Sequence, residues 1–130
     1  MRKTLLLLAA AVMLTACQET LEERATREAR EVTENKCPMP IGDNMYMDSV
    51  VFDIPTLTQT QYFRFIGDSD NDSVVTILGN ARQVLVDELR GTAVYKSLME
   101  RGVNFRYVYR STKNRETIYL DVTLKPDDYR

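Results

Sequence analysis

The stretch GVNFRYVYRSTKNRETIYLDVTL, residues 102–124, decides the fold because it holds two runs of alternating apolar and polar side chains. Residues 103–110 form the first run and residues 117–124 the second, with the polar segment STKNR between them. A period of two residues is typical of a β-strand that buries one face. The stretch therefore predicts an antiparallel hairpin. Its core-facing side chains would be Val103, Phe105, Tyr107, Tyr109, Ile118, Leu120, Val122 and Leu124.

Two earlier segments alternate in the same way. In DSVVFDI, residues 48–54, Phe52 shares a face with its second neighbours, and in QYFRFIG, residues 61–67, Phe63 and Phe65 share a face. Pro55 ends the first of these segments, and the short connection to the second suits an antiparallel hairpin. We therefore expect a second hairpin ahead of the first.

The segment between the hairpins, residues 74–101, changes to a helical period. Apolar residues recur on one helical face at Val74, Leu78, Ala81, Leu85 and Leu89, and Val75 and Ile77 widen the start of that face. Gly91-Thr92 interrupts the run, and Gly102 fits the left-handed position that commonly ends a helix, so two helices or one bent helix satisfy the pattern. The whole pattern predicts one α+β domain, residues 37–130, with a four-stranded antiparallel sheet in ββααββ order and helices on one face.

Residues 17–36 are expected to precede that domain as a charged tether with helical character. The segment TLEERATREAREVTE, residues 20–34, is rich in helix formers, and Thr20 and Glu23 have the spacing of a capping box. Its apolar stripe is narrow, consisting of Leu21, Ala25, Ala29 and Val32. The sequence leaves open whether this helix docks on the domain or lifts it from a membrane.

Composition excludes several classes of function. The chain has 130 residues, a formal charge of −2 and no histidine. Near-neutral charge provides no basic field for nucleic acid. The absence of imidazole removes the commonest general base and zinc ligand, together with any triad built on histidine. No cofactor is expected.

The N-terminus has the features of an export signal. A positive region, residues 1–3, precedes the apolar segment 5–14, which is too short to span a bilayer as a permanent helix. The following Leu14-Thr15-Ala16-Cys17 resembles the lipobox of bacterial lipoproteins. That resemblance implies a signal peptide of residues 1–16, cleavage before Cys17, a diacylglycerol thioether on its thiol and acylation, for example by palmitate, of its new amino group. The alternative is a plain signal peptide that ends near a cysteine.

A lipid anchor on Cys17 would hold the domain on a bilayer without a transmembrane helix. The acidic residues 18–23 resemble the export tags of surface lipoproteins in Bacteroidetes-type bacteria. This resemblance implies an outer-membrane lipoprotein whose domain is periplasmic or surface-exposed.

Cys37 would then be left without an intramolecular disulfide partner. It lies in NKCPMPIGDN, residues 35–44, where two prolines and a glycine predict a turned, extended path. Three roles stay open: a small buried apolar side chain, an intermolecular disulfide, or a nucleophile with only Lys36 nearby to lower its pKa.

Several of these motifs together resemble the small lipoproteins of Bacteroides-type gut bacteria. They are the lipobox, the segment Asn35-Lys36-Cys37-Pro38 ahead of the first strand, and the aromatic strand from Gly102 to Tyr109. The resemblance implies an envelope location and a similar fold, and it supplies no catalytic residues.

Aspartates stand at alternate positions in GDSDNDS, residues 67–73. Asp68, Asp70 and Asp72 have the spacing with which a calcium-binding EF-hand loop begins. Ser73 and Gly79 then occupy the positions where that loop needs glycine and glutamate. A polar turn that caps the next helix explains the same residues. These aspartates are therefore weak metal candidates.

The uncovered face of the sheet is the predicted binding face. It combines aromatic and arginine side chains that suit contacts with a protein or a glycan, and they are Tyr62, Arg64, Arg106, Arg110, Tyr119 and Asp121. The alternative is an ordinary hydrated face with cross-strand ion pairs. Tyr107 and Tyr109 would serve the core.

These observations favour a membrane-anchored, non-enzymatic binding module over an enzyme. The alternative is a small carboxylate-dependent hydrolase or a calcium-binding envelope protein. It would use the aspartates of residues 68–72, or Asp121 with Glu116, and would need two carboxyl groups whose pKa values are pushed apart in a cleft.

Overall fold

The computed structural model describes residues 18–130, so the predicted signal peptide and Cys17 lie outside the described residues. The strands are β1 (Met39–Ile41), β2 (Met45–Asp53), β3 (Thr58–Phe65), β4 (Asn104–Ser111) and β5 (Ile118–Leu124). The helices are α1 (Leu21–Lys36), α2 (Val74–Ile77), α3 (Ala81–Gly91), α4 (Lys96–Arg101) and α5 (Pro126–Tyr129). Short 3₁₀ turns at Gly67–Ser69, Leu78–Asn80 and Ala93–Tyr95 join them.

The α+β class is confirmed, but two details of the predicted sheet are wrong. The sheet has five strands in the order β1-β2-β3-β4-β5, and its central pair, β3 and β4, is parallel. The two predicted hairpins form as antiparallel pairs, β2 with β3 and β4 with β5. The connection from β3 to β4 runs through three helices, and such a crossover returns the chain to the end of the sheet from which a parallel strand can start.

The fifth strand, β1, is a three-residue edge strand that pairs antiparallel with β2. It contains Pro40, and it is too short to show a period of two residues. The predicted turned path for residues 35–44 therefore includes a strand. Proline on an edge strand also limits pairing with another chain.

The crossover helices lie on one face of the sheet and bury its central strands. Phe105, Leu89, Leu124, Val74 and Val103 are among the most completely buried side chains. The predicted break falls at Gly91, where α3 ends, and the chain is also interrupted at Leu78–Asn80. Gly102 has a φ of 88° and caps α4 in the left-handed conformation, as predicted.

Helix α1 docks on the sheet, which settles the question that the sequence leaves open. Its two buried alanines, Ala25 and Ala29, lie in the hydrophobic core, and small side chains allow a close approach to β2. Thr33 Oγ1 both donates to Val50 O and accepts from Val50 N, each at 2.9 Å. Thr20 caps the helix by accepting from Glu23 N at 3.1 Å. The segment 21–36 is thus part of the folded unit. Among residues 18–130, no helix is long and apolar enough to cross a membrane.

A β-bulge between β4 and β5 reverses two predicted side-chain directions. The register shifts between Tyr109 and Arg110, so that Arg110 pairs with Ile118. The extra residue lies in β5, and it shifts the pairing by one position, so that the side chains beyond it point to the opposite face. Consequently Ile118, predicted to face the core, is 52% exposed. Tyr119, predicted for the uncovered face, instead packs edge-on against the core residue Phe65 at 5.9 Å between ring centroids.

The C-terminus adds a short helix, α5, after the predicted closing Pro126. Tyr129 is buried, stacks edge-on against Phe105 and donates a hydrogen bond to Val103 O at 2.8 Å. The terminal residues therefore cover the end of the core near Val103, where β4 begins.

Candidate functional site

The uncovered face of the sheet, called here the open face, carries five of the six predicted binding residues: Tyr62, Arg64, Arg106, Arg110 and Asp121. Arg64 Nε donates to Asp48 Oδ1 at 2.7 Å, and its guanidinium lies 4.7 Å from the centroid of the Tyr46 ring. Tyr46 stands directly opposite Arg64 across β2 and β3. This arginine is therefore already paired within the protein.

Arg106 is paired as well. Its Nε and one terminal nitrogen donate to the two carboxylate oxygens of Asp121 at 2.9 and 2.6 Å. The hydrogen bonds from Arg106 lower the pKa of Asp121. Arg110 lies over Tyr62 at 5.7 Å, and Arg110 Nε is buried with no hydrogen-bond partner among residues 18–130. The open face thus consists largely of cross-strand pairs, and its role in binding stays a prediction.

Tyr119, the sixth predicted residue, belongs to a different group of side chains. Its hydroxyl donates to Asp70 Oδ1 at 2.6 Å, while Ser111 Oγ donates to Asp70 Oδ2 at 2.9 Å. The backbone N–H groups of Thr112 and Lys113 donate to the same Oδ2 at 2.9 and 2.8 Å. We call these five residues the Asp70 cluster. It ties the loop after β3 to the turn between β4 and β5.

The chemistry of the Asp70 cluster is that of a structural carboxylate. Asp70 is 4% exposed. Burial alone would raise the pKa of Asp70, but the donors of Tyr119, Lys113, Ser111 and Thr112 outweigh it and lower that pKa to about 2. The same contact raises the pKa of the Tyr119 phenol. A carboxylate with this many donors is held ionised and is a poor general acid or base.

The weak metal candidates are not brought together around a common point. Asp70 is turned inward to its four donors, whereas Asp68 and Asp72 are exposed. Within residues 18–130 no group of three or more carboxylate or cysteine side chains could hold a metal ion. The other carboxylate pair considered from the sequence includes Asp121, whose carboxylate is bonded to Arg106.

Cys37 is half-buried, packs against the hydrophobic core and has no disulfide partner in the described chain. Burial raises the pKa of the Cys37 thiol, and the nearby Asp48 carboxylate raises it further. Its backbone N–H ends α1 by donating to Val32 O at 3.2 Å. These features favour the small apolar role over the nucleophile.

A second surface, absent from the sequence-based predictions, lies on the helix side. An apolar groove of about 330 Å³ runs between the helices α2 and α3 and the strand residues near the β1 edge. We call it the α2–α3 groove. Its lining includes Ile41, Met45, Phe63, Phe65, Leu78, Ala81, Leu85, Tyr107 and Tyr109. Ile77, 76% exposed, and Val84, 53% exposed, also line it.

The floor of the α2–α3 groove contains a polar element. Phe63 and Tyr109 stack with ring centroids 4.8 Å apart. Burial, together with the neighbouring Glu88 carboxylate that also lines the groove, raises the pKa of Tyr109 to about 12. Both tyrosine hydroxyls at this floor are therefore protonated at neutral pH, since burial also raises the pKa of Tyr107. The groove can accept an apolar segment and offers one carboxylate to it.

A sequence signal for this groove existed in part. Ile77 widens the apolar stripe of the crossover, and Val84 lies outside that stripe. Apolar residues outside the core-facing positions of a helix indicate either extra core or a docking surface. The choice between them depends on where the break at residues 78–80 places α2, which the period alone does not specify.

Three solved structures are similar to this fold. A Pseudomonas aeruginosa protein described as secreted has a TM-score of 0.63 and 13% identity, covering 87% of this chain and 100% of its own. EpsS, the pilotin of the Vibrio vulnificus type 2 secretion system, has a TM-score of 0.62 and 13% identity, covering 85% and 92%. AspS, a type 2 secretion system pilotin of Vibrio cholerae, has a TM-score of 0.57 and 16% identity, covering 83% and 91%. These identities establish a common fold alone.

Sequence comparison supplies the family. No curated protein matches the chain. The family model described as a domain of unknown function (DUF8479) matches residues 20–119. This match includes α1 and continues to β5, which is most of the described chain. The chain therefore belongs to the DUF8479 family.

Proposed function

We propose that this protein is a membrane-anchored lipoprotein of the bacterial envelope that binds a protein partner, without catalysis, through the α2–α3 groove. The observation that carries the proposal is the pair of exposed side chains beside that groove, Ile77 and Val84. Because both border one apolar groove, they extend a contiguous exposed apolar surface, and surfaces of that kind are candidate protein-interaction sites.

The energetics of the groove suit a protein segment. Full burial of one valine or isoleucine side chain contributes about 1.5–3 kcal/mol. Covering Ile77 and Val84 together with the groove floor would therefore supply the apolar core of a small interface. The open face offers less, because most of its charged groups must first give up partners that they already have.

Charge defines the partner further. Glu88 is the carboxylate that lines the α2–α3 groove. Both basic residues of α3 are directed to the C-terminal segment: Arg90 Nε donates to Tyr129 O at 2.9 Å, and Arg82 pairs with Asp128 at 3.4 Å. A partner segment with apolar side chains and one lysine or arginine would therefore complement the groove.

The structural neighbours support a protein partner. Two of them are pilotins of type 2 secretion systems. A shared fold does not transfer a function. It does make association with an envelope protein a reasonable role for a domain of this shape.

The anchor is proposed on Cys17. The motif Leu14-Thr15-Ala16-Cys17 supports it, and α1 begins at Leu21, so only residues 18–20 would separate the lipid from the folded unit. The outer membrane is the proposed location. The domain would therefore be held close to the bilayer surface.

Metabolic labelling with palmitate tests the anchor. Cys17→Ala should abolish the label and move the protein out of the membrane fraction, because the thiol and the new amino group of this residue carry the acyl chains. Cys37→Ala is the matched control and should keep both. Undiminished palmitate labelling of Cys17→Ala would show that Cys17 does not carry the acyl chains.

Site-specific photo-crosslinking tests the groove. A benzophenone amino acid at Val84 should give a covalent adduct in envelope membranes, and the adduct should diminish when Ile77→Ser is added. Val51, which is 49% exposed on the opposite face of the sheet, is the matched control position. Adducts from position 51 or 62, with none from position 84, would indicate that the partner binds the open face instead of the groove.

A further inference from the structure

A second cavity lies between α1 and α4, next to the groove proposed above, with which it shares one lining residue, Gln61. It has a volume of about 300 Å³, at the lower end of the range for ligand pockets. We call it the α1–α4 cleft. Its apolar lining comes from α1, from β2, from the 3₁₀ turn before α4 and from α4 itself, and it comprises Leu21, Ala25, Ala29, Val32, Met47, Val50, Val94 and Leu98.

One polar side chain in this lining is unusual. Gln59 lies on the helix-covered face, directly between Phe52 of β2 and Phe105 of β4. It is only 9% exposed, and its Oε1 is buried without a hydrogen-bond partner in the described chain. A buried acceptor without a donor destabilises the folded state, whereas an apolar side chain at this position would not. Gln59 therefore lowers the stability of the fold, and folding by itself does not explain a glutamine at this position.

The other polar groups of the cleft are less buried, and Ser97 is exposed to solvent. Gln61 Nε2 donates to the Tyr95 hydroxyl, although the contact is long at 3.4 Å. At the mouth, Arg24 Nε donates to Glu28 Oε1 at 2.9 Å, so the two charges neutralise each other. The cleft thus has apolar walls, an internally paired ion pair at its mouth, and beside them one buried acceptor without a partner, Gln59 Oε1.

We propose that the α1–α4 cleft binds a compact neutral ligand with an apolar body and one N–H or O–H donor, which donates to Gln59 Oε1. Within residues 18–130 no hydrogen bond holds this oxygen in place, so a partial rotation of the amide turns it toward the cleft without breaking one. A neutral molecule avoids the desolvation of a charge, and its donor satisfies the acceptor that folding leaves unpaired. The cleft does not depend on the proposed partner groove.

Indole and 1-methylindole are suitable probes because they differ chiefly in the donor. The experiment titrates each into the ¹⁵N-labelled domain, residues 18–130, and follows amide chemical shifts. Indole should move the signals of Leu21, Ala25 and Leu98. 1-Methylindole should bind roughly tenfold more weakly, which is the effect expected for loss of one hydrogen bond.

Two variants separate binding from folding. Gln59→Leu should raise the melting temperature, because it removes the unpaired acceptor, and should bind the two probes equally. Ser97→Phe, at the lining of the cleft, should block both probes while leaving Gln59 in place. Equal affinities in the wild type, a preference for indole that survives Gln59→Leu, or shifts confined to the α2–α3 groove would each overturn the proposal.

Discussion

The two sides of the sheet differ in whether their side chains already have partners within the protein. On the open face, Arg64 and Arg106 each have a carboxylate partner across the strands. On the helix-covered face, Ile77 and Val84 stand exposed beside an apolar groove. The open face also exposes Val51 and Ile118, but its internally paired charges gain little from a partner, whereas Ile77 and Val84 border one apolar groove and gain from being covered. The comparison shows that aromatic and arginine content alone is a poor guide to a binding surface.

The largest expected effect contrasts Asp70, in the buried cluster after β3, with Asp121 of the open face. Asp70→Ala should lower the free energy of unfolding by roughly 3 kcal/mol, because it leaves buried donors of residues 111–113 without an acceptor. Asp121→Ala should lower it by less than about 1 kcal/mol, because its pair with Arg106 is partly exposed. Chemical denaturation measures both. Similar losses of unfolding free energy in the two variants would show that the buried cluster contributes no more stability than the ion pair on the open face.

A smaller effect is expected from acid. The pKa of Asp70 is lowered to about 2 from its ordinary value of 3.8, so its contribution to stability is complete above about pH 5 and is lost as the pH falls through 3.8 toward 2. The contribution is on the order of 2 kcal/mol. Unfolding free energies measured between pH 5 and pH 2 should therefore fall in the wild type. The fall should be shallower in Asp70→Asn, and an equally steep fall in that variant would assign the acid sensitivity to other groups.

Much of the fold is predictable from periodicity. The alternation around Phe105 and Phe63 identifies four strands and their buried faces, and the spacing from Val74 to Leu89 identifies the helical crossover. Periodicity says nothing about which strands pair or in which direction. The parallel pairing of β3 with β4 and the edge strand at Met39–Ile41 therefore needed the structure.

The candidate sites were harder to predict for a related reason. A single bulge beside Arg110 moves Tyr119 from the open face to Asp70, and a bulge leaves the composition of a strand unchanged. Asp70 itself has the sequence signature of a polar turn, and only its long-range contacts to residues 111–113 make it structural. The α2–α3 groove likewise arises from packing between distant segments.

The most direct test of the central claim is the affinity of the crosslinked partner for two matched variants. Val84→Glu and Val51→Glu place the same charge at exposed valines on opposite sides of the sheet. In a titration with the purified partner, Val84→Glu should weaken binding by about tenfold or more, because the charge must be desolvated in the groove, and Val51→Glu should leave it nearly unchanged. Weakening by Val51→Glu with unchanged binding by Val84→Glu would contradict the account and place the partner on the open face.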